Sequence, residues 1–391
     1  MAFDPIKLRD DTEAFCEEVR PAEEFAYVER QFNDQVVPLA KKYNLLGMNV
    51  HPEHGGRGAD AVSYFTALAR IGREGTTVRT FFSGHLSIGA YPIQTWGSER
   101  LKQKYLPAAC RGEKILAFGL TEPEAGSNPR EMTTTYAKKG DHFVLNGMKY
   151  LISNGGIADA IVVFAYPEGQ VGTGRISAFV LDTAADGFHA DTFAVNAKMG
   201  MPTSNTAMFQ MDNVRVPAEN LLGNEGDGFR IAMGTLVSGR LSVAAGCLGV
   251  IEDCLAEAIR YAKERKQHGK EIAKHQLVQD HIAHIEMDRV ASESLLLRAA
   301  EMKDRSAAHP EDKELARQTD LLAAQAKFFA TNAAWDAADR AVQVWGGKGW
   351  STLFRPARHL LDVRVCRIYE GTDEILKLKI ASALLGKEWE A

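Results

Sequence analysis

Residues 275–302 and 314–347 read HQLVQDHIAHIEMDRVASESLLLRAAEM and ELARQTDLLAAQAKFFATNAAWDAADRAVQVWGG. Apolar residues recur through both at the three- and four-residue spacing that gives a helix one apolar face. SAAHPEDK, at 306–313, reads as the turn between them. Helices this long with short connections predict an antiparallel bundle, built from about residue 225 to the end.

Working back from the bundle, the period changes. Between about 116 and 222 the chain carries short alternating or β-branched runs, HFVLNGMKYLIS, AIVVFAY, ISAFVLD and TAMFQMDNVRV, separated by Gly, Asp and Asn. These predict a small antiparallel sheet or barrel. Ahead of them AVSYFTALARIG and ERLKQKYLPAAC return to helical spacing, and NLLGMNVHPEHGGRG reads as a loop between helices. The reading is a mainly α chain with a middle β domain: a helical domain over 1–115, a β domain over 116–224 and a helical bundle over 225–391.

At 391 residues the chain is too long for one ordinary core. A formal net charge of −5 argues against nucleic-acid binding through phosphates. MAFDPIKLRDD has no apolar core or cleavage site, so no secretory signal is expected, and no membrane span is read. Five scattered cysteines without CxxC pairs predict free thiols and a cytoplasmic setting. His281 and His284, with His275 nearby, lack the partners for a metal site and are read as surface or interface residues, so no metal is expected.

Several short segments bear on chemistry. AFGLTEPEAGSN (117–128) lies where the helical and β blocks meet, as a crossing turn or a loop that meets a polar ligand. NGMKYLISNGG (146–156) is a strand ending in a Gly-Gly turn. QVWGGKG (343–349) ends a helix on a glycine cap or lets backbone approach a pyrophosphate. ERKQHGK (264–270) is a cationic run, either solvated or holding phosphates. RIYEGTDEI (367–375) places Glu370 before Gly371, which can take a positive φ, and Thr372, which can cap the next helix. Locally, Glu370 is a solvated loop glutamate.

In this order and spacing, PEHGGRG, LTEPEAGSN, LISNGG, VRVPAENLLG, ERKQHGK, QVWGGKG and IYEGT resemble the acyl-CoA dehydrogenase family of flavoproteins over nearly the whole chain. The resemblance implies FAD between the β domain and the bundle, an acyl-CoA substrate, a homotetramer and an electron-transfer flavoprotein as acceptor. It places Phe118, Leu120 and Thr121 at the flavin ring and the Ser153 hydroxyl near the flavin N5. Arg265, Gln343, Gly346 and Gly347 would meet the pyrophosphate and adenosine end across a subunit boundary, and Thr372 and Glu374 would lie by the cofactor. Ser127, also beside the cofactor, and Arg240 would line the acyl-CoA path, next to Tyr369 and Gly371. Glu370 would remove the α-proton of the thioester while the β-hydrogen leaves as hydride. A base in a dry pocket beside a flavin is expected to have a raised pKa.

Two positions depart from the pattern. Leu151 and Ser153 stand where the family usually carries tryptophan and threonine; Ser153 keeps the hydroxyl, and the loss of the aromatic at Leu151 leaves open an oxidase, with a biosynthetic desaturase of the same family as a further alternative. A non-catalytic DNA-binding relative is the remote alternative. Arg79, in TTVRTFFSGHLSIGAYP, sits where glutaryl-CoA dehydrogenases hold a distal carboxylate, and SNPREM resembles the same subgroup. Its other reading is a surface arginine paired with Glu74.

Overall fold

The computed structural model describes residues 3–192 and 197–386. The first block holds six helices: α1 (Pro5–Glu29), α2 (Val36–Lys42), α3 (Ala61–Gly72), α4 (Thr76–Phe82), α5 (Tyr91–Trp96) and α6 (Glu99–Cys110). Their starts are set by short polar side chains. Asp4, Asp60 and Ser98 each accept the backbone N–H three residues on, closing the first turns of α1, α3 and α6. Between α4 and α5 the chain winds as a π-helix, Ser83–Ala90. Gly84 and Gly89 are needed there: a Cβ on Gly84 would stand 2.8 Å from Asn154, and one on Gly89 2.8 Å from Leu116. The β domain leans on this segment, Asn154 donating to the Phe81 carbonyl at 3.0 Å and the Leu116 N–H to His85 at 3.1 Å.

The middle of the chain forms one eight-stranded sheet: β1 (Leu116–Gly119), β2 (Thr135–Lys139), β3 (His142–Ser153), β4 (Ala160–Pro167), β5 (Ser177–Asp182), β6 (Phe188–Asp191), β7 (Thr206–Pro217) and β8 (Leu221–Leu222). The order is β6-β7-β3-β2-β4-β5-β8, with β1 against β4. Its inner face packs Tyr136, Phe143 and Phe179 edge to face, with centroids 4.9 to 5.5 Å apart. The sheet is not purely antiparallel, as the alternation suggested, because β1 and β2 both run parallel to β4. Each reaches β4 through intervening chain rather than a tight hairpin, which is the connection a parallel pair requires.

After the sheet come α7 (Gly228–Glu264), a small hairpin of β9 (Lys266–Gln267) and β10 (Lys270–Glu271), then α8 (Gln276–Ala308), α9 (Lys313–Trp345), α10 (Arg355–Val363) and α11 (Asp373–Leu385). Helices α7, α8, α9 and α11 pack as the bundle that the periodicity predicts. Although α7 is long and apolar enough to cross a membrane, most of its apolar stretch is buried inside the protein. It also joins the bundle to the first helical block, because its glycines let α3 come close. A Cβ on Gly249 would lie 2.0 Å from the Ala69 carbonyl oxygen, and one on Gly246 would meet Arg79.

At Gly249 the obstacle is backbone on a packed helix, which has little room to retreat. Gly249→Ala is expected to destabilise the fold by about 1–3 kcal/mol, read as a lower urea midpoint with unchanged slope.

Candidate active site

The segment from Cys366 to Asp373 is wedged between α4, α7 and α9. It turns sharply because two consecutive residues take left-handed backbone, Glu370 at φ 56° and Gly371 at φ 97°. Glycine adopts this freely, whereas a glutamate does so at a cost of about 1–2 kcal/mol. Thr372 then caps α11, its hydroxyl accepting from Ile375 N–H at 3.2 Å. The turn throws the Glu370 side chain onto α7 at Gly239, where a Cβ would stand 2.3 Å from Oε2. No other residue type leaves room for the carboxylate there.

Glu370 is therefore not a solvated loop residue. Its Oε2 is buried and has no hydrogen-bond partner among the described residues. Burial pushes its pKa up to about 7, against the pull of three cations, Arg240, Arg79 and Lys327. Each cation comes from a different helix. The Arg240 Nε on α7 approaches the Glu370 carbonyl at 3.4 Å, while its Nη1 pairs with Asp320 at 2.7 Å. The Lys327 Nζ on α9 donates to the Gly371 carbonyl at 2.7 Å. The backbone N–H of Glu370 has no acceptor among the described residues.

Arg79, on α4, is not the surface arginine of the alternative reading. It is 1% exposed, and Glu74 instead pairs with Arg20 at 2.6 Å and with Arg70. The Arg79 Nη2 donates to the Tyr369 hydroxyl at 2.5 Å, and its Nε is buried without a partner. No carboxylate pairs with it among the described residues. Its other polar neighbours are thiols: Cys366 lies 3.3 Å from the same hydroxyl, and a hydrogen bond with Cys247, helped by the Arg79 charge, holds the Cys366 thiol below its ordinary pKa. All five cysteines are buried and free.

A second wall stands at the ends of β1 and β3. Phe118 and Leu120 are buried, Thr121 and Ser153 are half-buried, and Ser127 is exposed. Leu151 is 53% exposed at φ 56°, turned outward where the pairing of β3 with β7 slips between Lys149 and Ile152. A buried ion pair fixes this wall: Lys149 binds Glu122 at 2.8 Å, and Glu122 also accepts the N–H and hydroxyl of both Thr133 and Thr134. The Thr121 carbonyl accepts from Tyr150 N–H at 2.9 Å.

Of the residues read from the sequence, Glu370, Arg79, Arg240, Tyr369 and Gly371 converge on one corner. Glu374 is exposed on the first turn of α11, next to Thr372. Arg265, Gln343, Gly346 and Gly347 are also exposed. Arg265 stands 26 residues beyond Gly239 on α7, about 39 Å of helix, so it does not share the Glu370 corner of its own chain. A Cβ on Gly346 or Gly347 would meet nothing in this chain. Gly346 is nevertheless required, closing α9 at φ 60°. Lys327, Gly239 and Gly246 were missed by sequence reading. Lys327 had a signal, because it shares the face of α9 that carries the buried Ala323, Ala330 and Ala334.

A carboxyl whose folded pKa is raised stabilises the fold fully below its unfolded pKa, and this contribution is lost as pH rises through about 7. Glu370→Gln is therefore expected to stabilise the protein at pH 8 by about 3 kcal/mol, at 1.36 kcal/mol per pH unit. At pH 4.5 the gain should vanish. Urea midpoints at both pH values check this, and an equal effect at both would mean that Glu370 is not held in a charge-averse site.

Comparison with known proteins places the whole of this framework. The family described as acyl-CoA dehydrogenase, N-terminal domain, matches residues 5–113, its middle domain 117–214 and its C-terminal domain 226–385. An acyl-CoA dehydrogenase of Bacillus subtilis is 38% identical over 94% of both chains. A short-chain specific acyl-CoA dehydrogenase of Clostridium acetobutylicum is 37% identical, over 96% of this chain and 97% of its own. A glutaryl-CoA dehydrogenase of Desulfococcus multivorans is 36% identical, over 91% and 89%. Among solved structures, a chain from work on the electron transferring flavoprotein of Acidaminococcus fermentans superposes with a TM-score of 0.92, at 35% identity over 98% of both. Butyryl-CoA dehydrogenase from Megasphaera elsdenii gives 0.91, at 34% identity over 99% and 100%. A glutaryl-CoA dehydrogenase from Mycobacterium smegmatis in complex with FADH2 gives 0.88, at 28% identity over 98% and 95%. The chain belongs to the acyl-CoA dehydrogenase family.

Proposed function

We propose that the protein is an FAD-dependent dehydrogenase that introduces an α,β double bond into a short acyl-CoA thioester with a distal carboxylate, with Glu370 as the base. The observation that carries this is the pairing of a dry carboxylate at Glu370 with a buried arginine, Arg79, that no carboxylate neutralises. A buried charge without a counter-ion costs several kcal/mol. A substrate carboxylate would offset that cost at the moment of binding.

The wall at the ends of β1 and β3 suits a flavin: an exposed apolar Leu151, the half-buried hydroxyls of Thr121 and Ser153, and the open loop at Gly126. FAD bound there supplies the acceptor for the β-hydrogen, which leaves as hydride. The rest of the chemistry belongs to this chain. Glu370 takes the α-proton and in doing so discharges a carboxylate that its surroundings resist carrying, so burial raises its strength as a base toward that of the weak carbon acid. The free Glu370 N–H is suited to the thioester carbonyl as negative charge develops on its oxygen. Arg240 and Lys327 hold the carbonyls of the corner, so that base and donor keep one geometry.

The exposed Arg265, Gln343 and Gly347, far along the bundle from Glu370, fit a cofactor shared between subunits of a homotetramer. An electron-transfer flavoprotein is the proposed acceptor. Leu151 favours one further reading: without a large aromatic at this edge, oxygen could reach a reduced flavin, as in an oxidase.

Two experiments test these assignments. With the yellow holoprotein kept anaerobic, glutaryl-CoA is expected to bleach the flavin faster than butyryl-CoA, and Glu370→Gln to retain FAD but lose bleaching by either. Bleaching by that variant at near the parent rate would remove Glu370 as base, and rapid oxygen uptake in air would favour the oxidase. Arg79→Gln should lower kcat/KM for glutaryl-CoA by roughly 10- to 150-fold, as loss of a charge-assisted contact of about 1.5–3 kcal/mol implies, with butyryl-CoA changed only a few fold. Equal losses on both would return Arg79 to a structural role.

A further inference from the structure

Lys327 is an unusual residue to find where it is. It sits at mid-length of α9 on the face that carries Ala323, Ala330 and Ala334, and it is fully buried. Its only hydrogen bond among the described residues runs to the Gly371 carbonyl, at 2.7 Å, and no carboxylate forms an ion pair with it. A methionine would fill the same space without an ammonium to desolvate. The charge must then act on something nearby.

The corner it touches is under load. Glu370 and Gly371 both take left-handed backbone, and their carbonyl oxygens are held by two cations from two helices, Arg240 on the first and Lys327 on the second. These two do not act alike. Arg240 is paired with Asp320, which also binds Lys379, yet still exerts the strongest cationic pull on Glu370. Asp373, a carboxylate that acts on Lys327, gives its Oδ2 to Arg367 at 2.7 Å and Asn332 at 3.2 Å, while its Oδ1 is buried without a partner among the described residues. Arg79, from α4, also acts on the carboxylate, while Cys247 from α7 and Cys366 from the Glu370 segment lie beside Lys327 and Arg79. Lys327 and Arg79 are therefore the two cations that face Glu370 without an ion-pair partner, and Arg79 is the one that a substrate would engage.

Resting on Glu370 as the base, we infer that Lys327 is its positioning residue. The ammonium pins the strained corner through the Gly371 carbonyl and adds an unpaired charge to the standing positive field in which the carboxylate works. Burial depresses the basicity of Lys327, and its four charged or polarisable neighbours, Cys366, Asp373, Cys247 and Glu370, oppose that. Once a substrate carboxylate has neutralised Arg79, Arg240 and Lys327 are the positive charges left to favour the ionised base, and Lys327 is the one of them with no ion-pair partner. The two parts of the role can be separated, because glutamine can donate to a carbonyl but carries no charge.

The test uses the FAD-loaded protein and anaerobic bleaching by whichever of glutaryl-CoA or butyryl-CoA is faster, followed as kcat/KM from pH 5 to 9. Lys327→Gln is expected to keep its flavin, its circular dichroism and a high-pH plateau within a few fold of the parent. Its acid limb should move up by about 1 pH unit, because loss of a cation raises the pKa of the carboxyl it faces. Lys327→Met should show the same displaced limb and a plateau lower by on the order of 10- to 100-fold, the penalty of a base held out of place. A residue that only packs would lower stability without moving the limb. An acid limb in Lys327→Gln that coincides with the parent's overturns the inference, and so does a parent-like plateau in a folded Lys327→Met. Should the methionine variant not fold, the glutamine variant decides alone. Glu370→Gln separates the two failures: if it abolishes bleaching while the Lys327→Gln limb stays put, only the role of Lys327 falls. If Glu370→Gln still bleaches, the base assignment falls with it.

Discussion

The structure depends on a column of missing side chains along α7. Gly239, Gly246 and Gly249 lie seven and three residues apart, on one face of the helix. Against the first rests the Glu370 carboxylate, against the second the Arg79 guanidinium and Gly72, and against the third the backbone of α3. One helix face thus receives the proposed base, the proposed anion-binding group and the first helical block. A β-carbon at any of the three would displace a different part of the assembly. Glycine costs a helix interior about 0.5–1 kcal/mol relative to alanine, and α7 carries three of them here with 37 residues of otherwise cooperative helix.

Those close approaches produce the electrostatics. With Oε2 pressed to backbone and buried without a partner, Glu370 loses hydration and its proton affinity rises. Three cations then keep the rise moderate. Arg79 is buried too, hydrogen-bonded to a phenol beside thiols, with the Glu370 carboxyl within reach of its charge but not paired with it. Groups this costly persist where they serve chemistry rather than stability. A contrasting case lies in the same molecule: Glu122 and Lys149 are just as buried, but they pair with each other and with two threonines. That satisfied network is a brace for the β1 and β3 ends, while the incomplete one around Glu370 and Arg79 has capacity left for a ligand.

Much of the framework was legible in the sequence because it follows from local rules. The 3.6-residue period of 275–302 and 314–347 announces the bundle, Thr372 its cap, and Gly371 and Gly346 their positive φ values. Residues named from the family resemblance, Glu370, Tyr369, Arg240 and Arg79, do meet at one corner. What could not be read depends on contacts across long separations. Nothing in the alternation of β1 or β2 says that they run parallel to β4, since pairing direction is a matter of connection and not of composition. The left-handed backbone of Glu370 leaves no local mark, because glutamate is not a residue that signals it. The burial of Arg79 is set by α7, some 170 residues later in the chain, and Gly246 means nothing until that helix is placed beside α4.

The corner also explains why its parts come from so many elements. A left-handed glutamate followed by a left-handed glycine would relax if it were free, since the first of these states is disfavoured for any residue with a β-carbon. Donors on α7 and α9 draw on the two carbonyls, the α11 cap fixes the exit, and Gly239 receives the side chain. No one of these elements could hold the turn alone, because each restrains a different atom. The geometry of the proposed base is thereby made a property of the packed bundle rather than of its loop. The carboxylate is held in place by the fold itself, so in the proposed role its alignment would cost nothing further when the proton is removed.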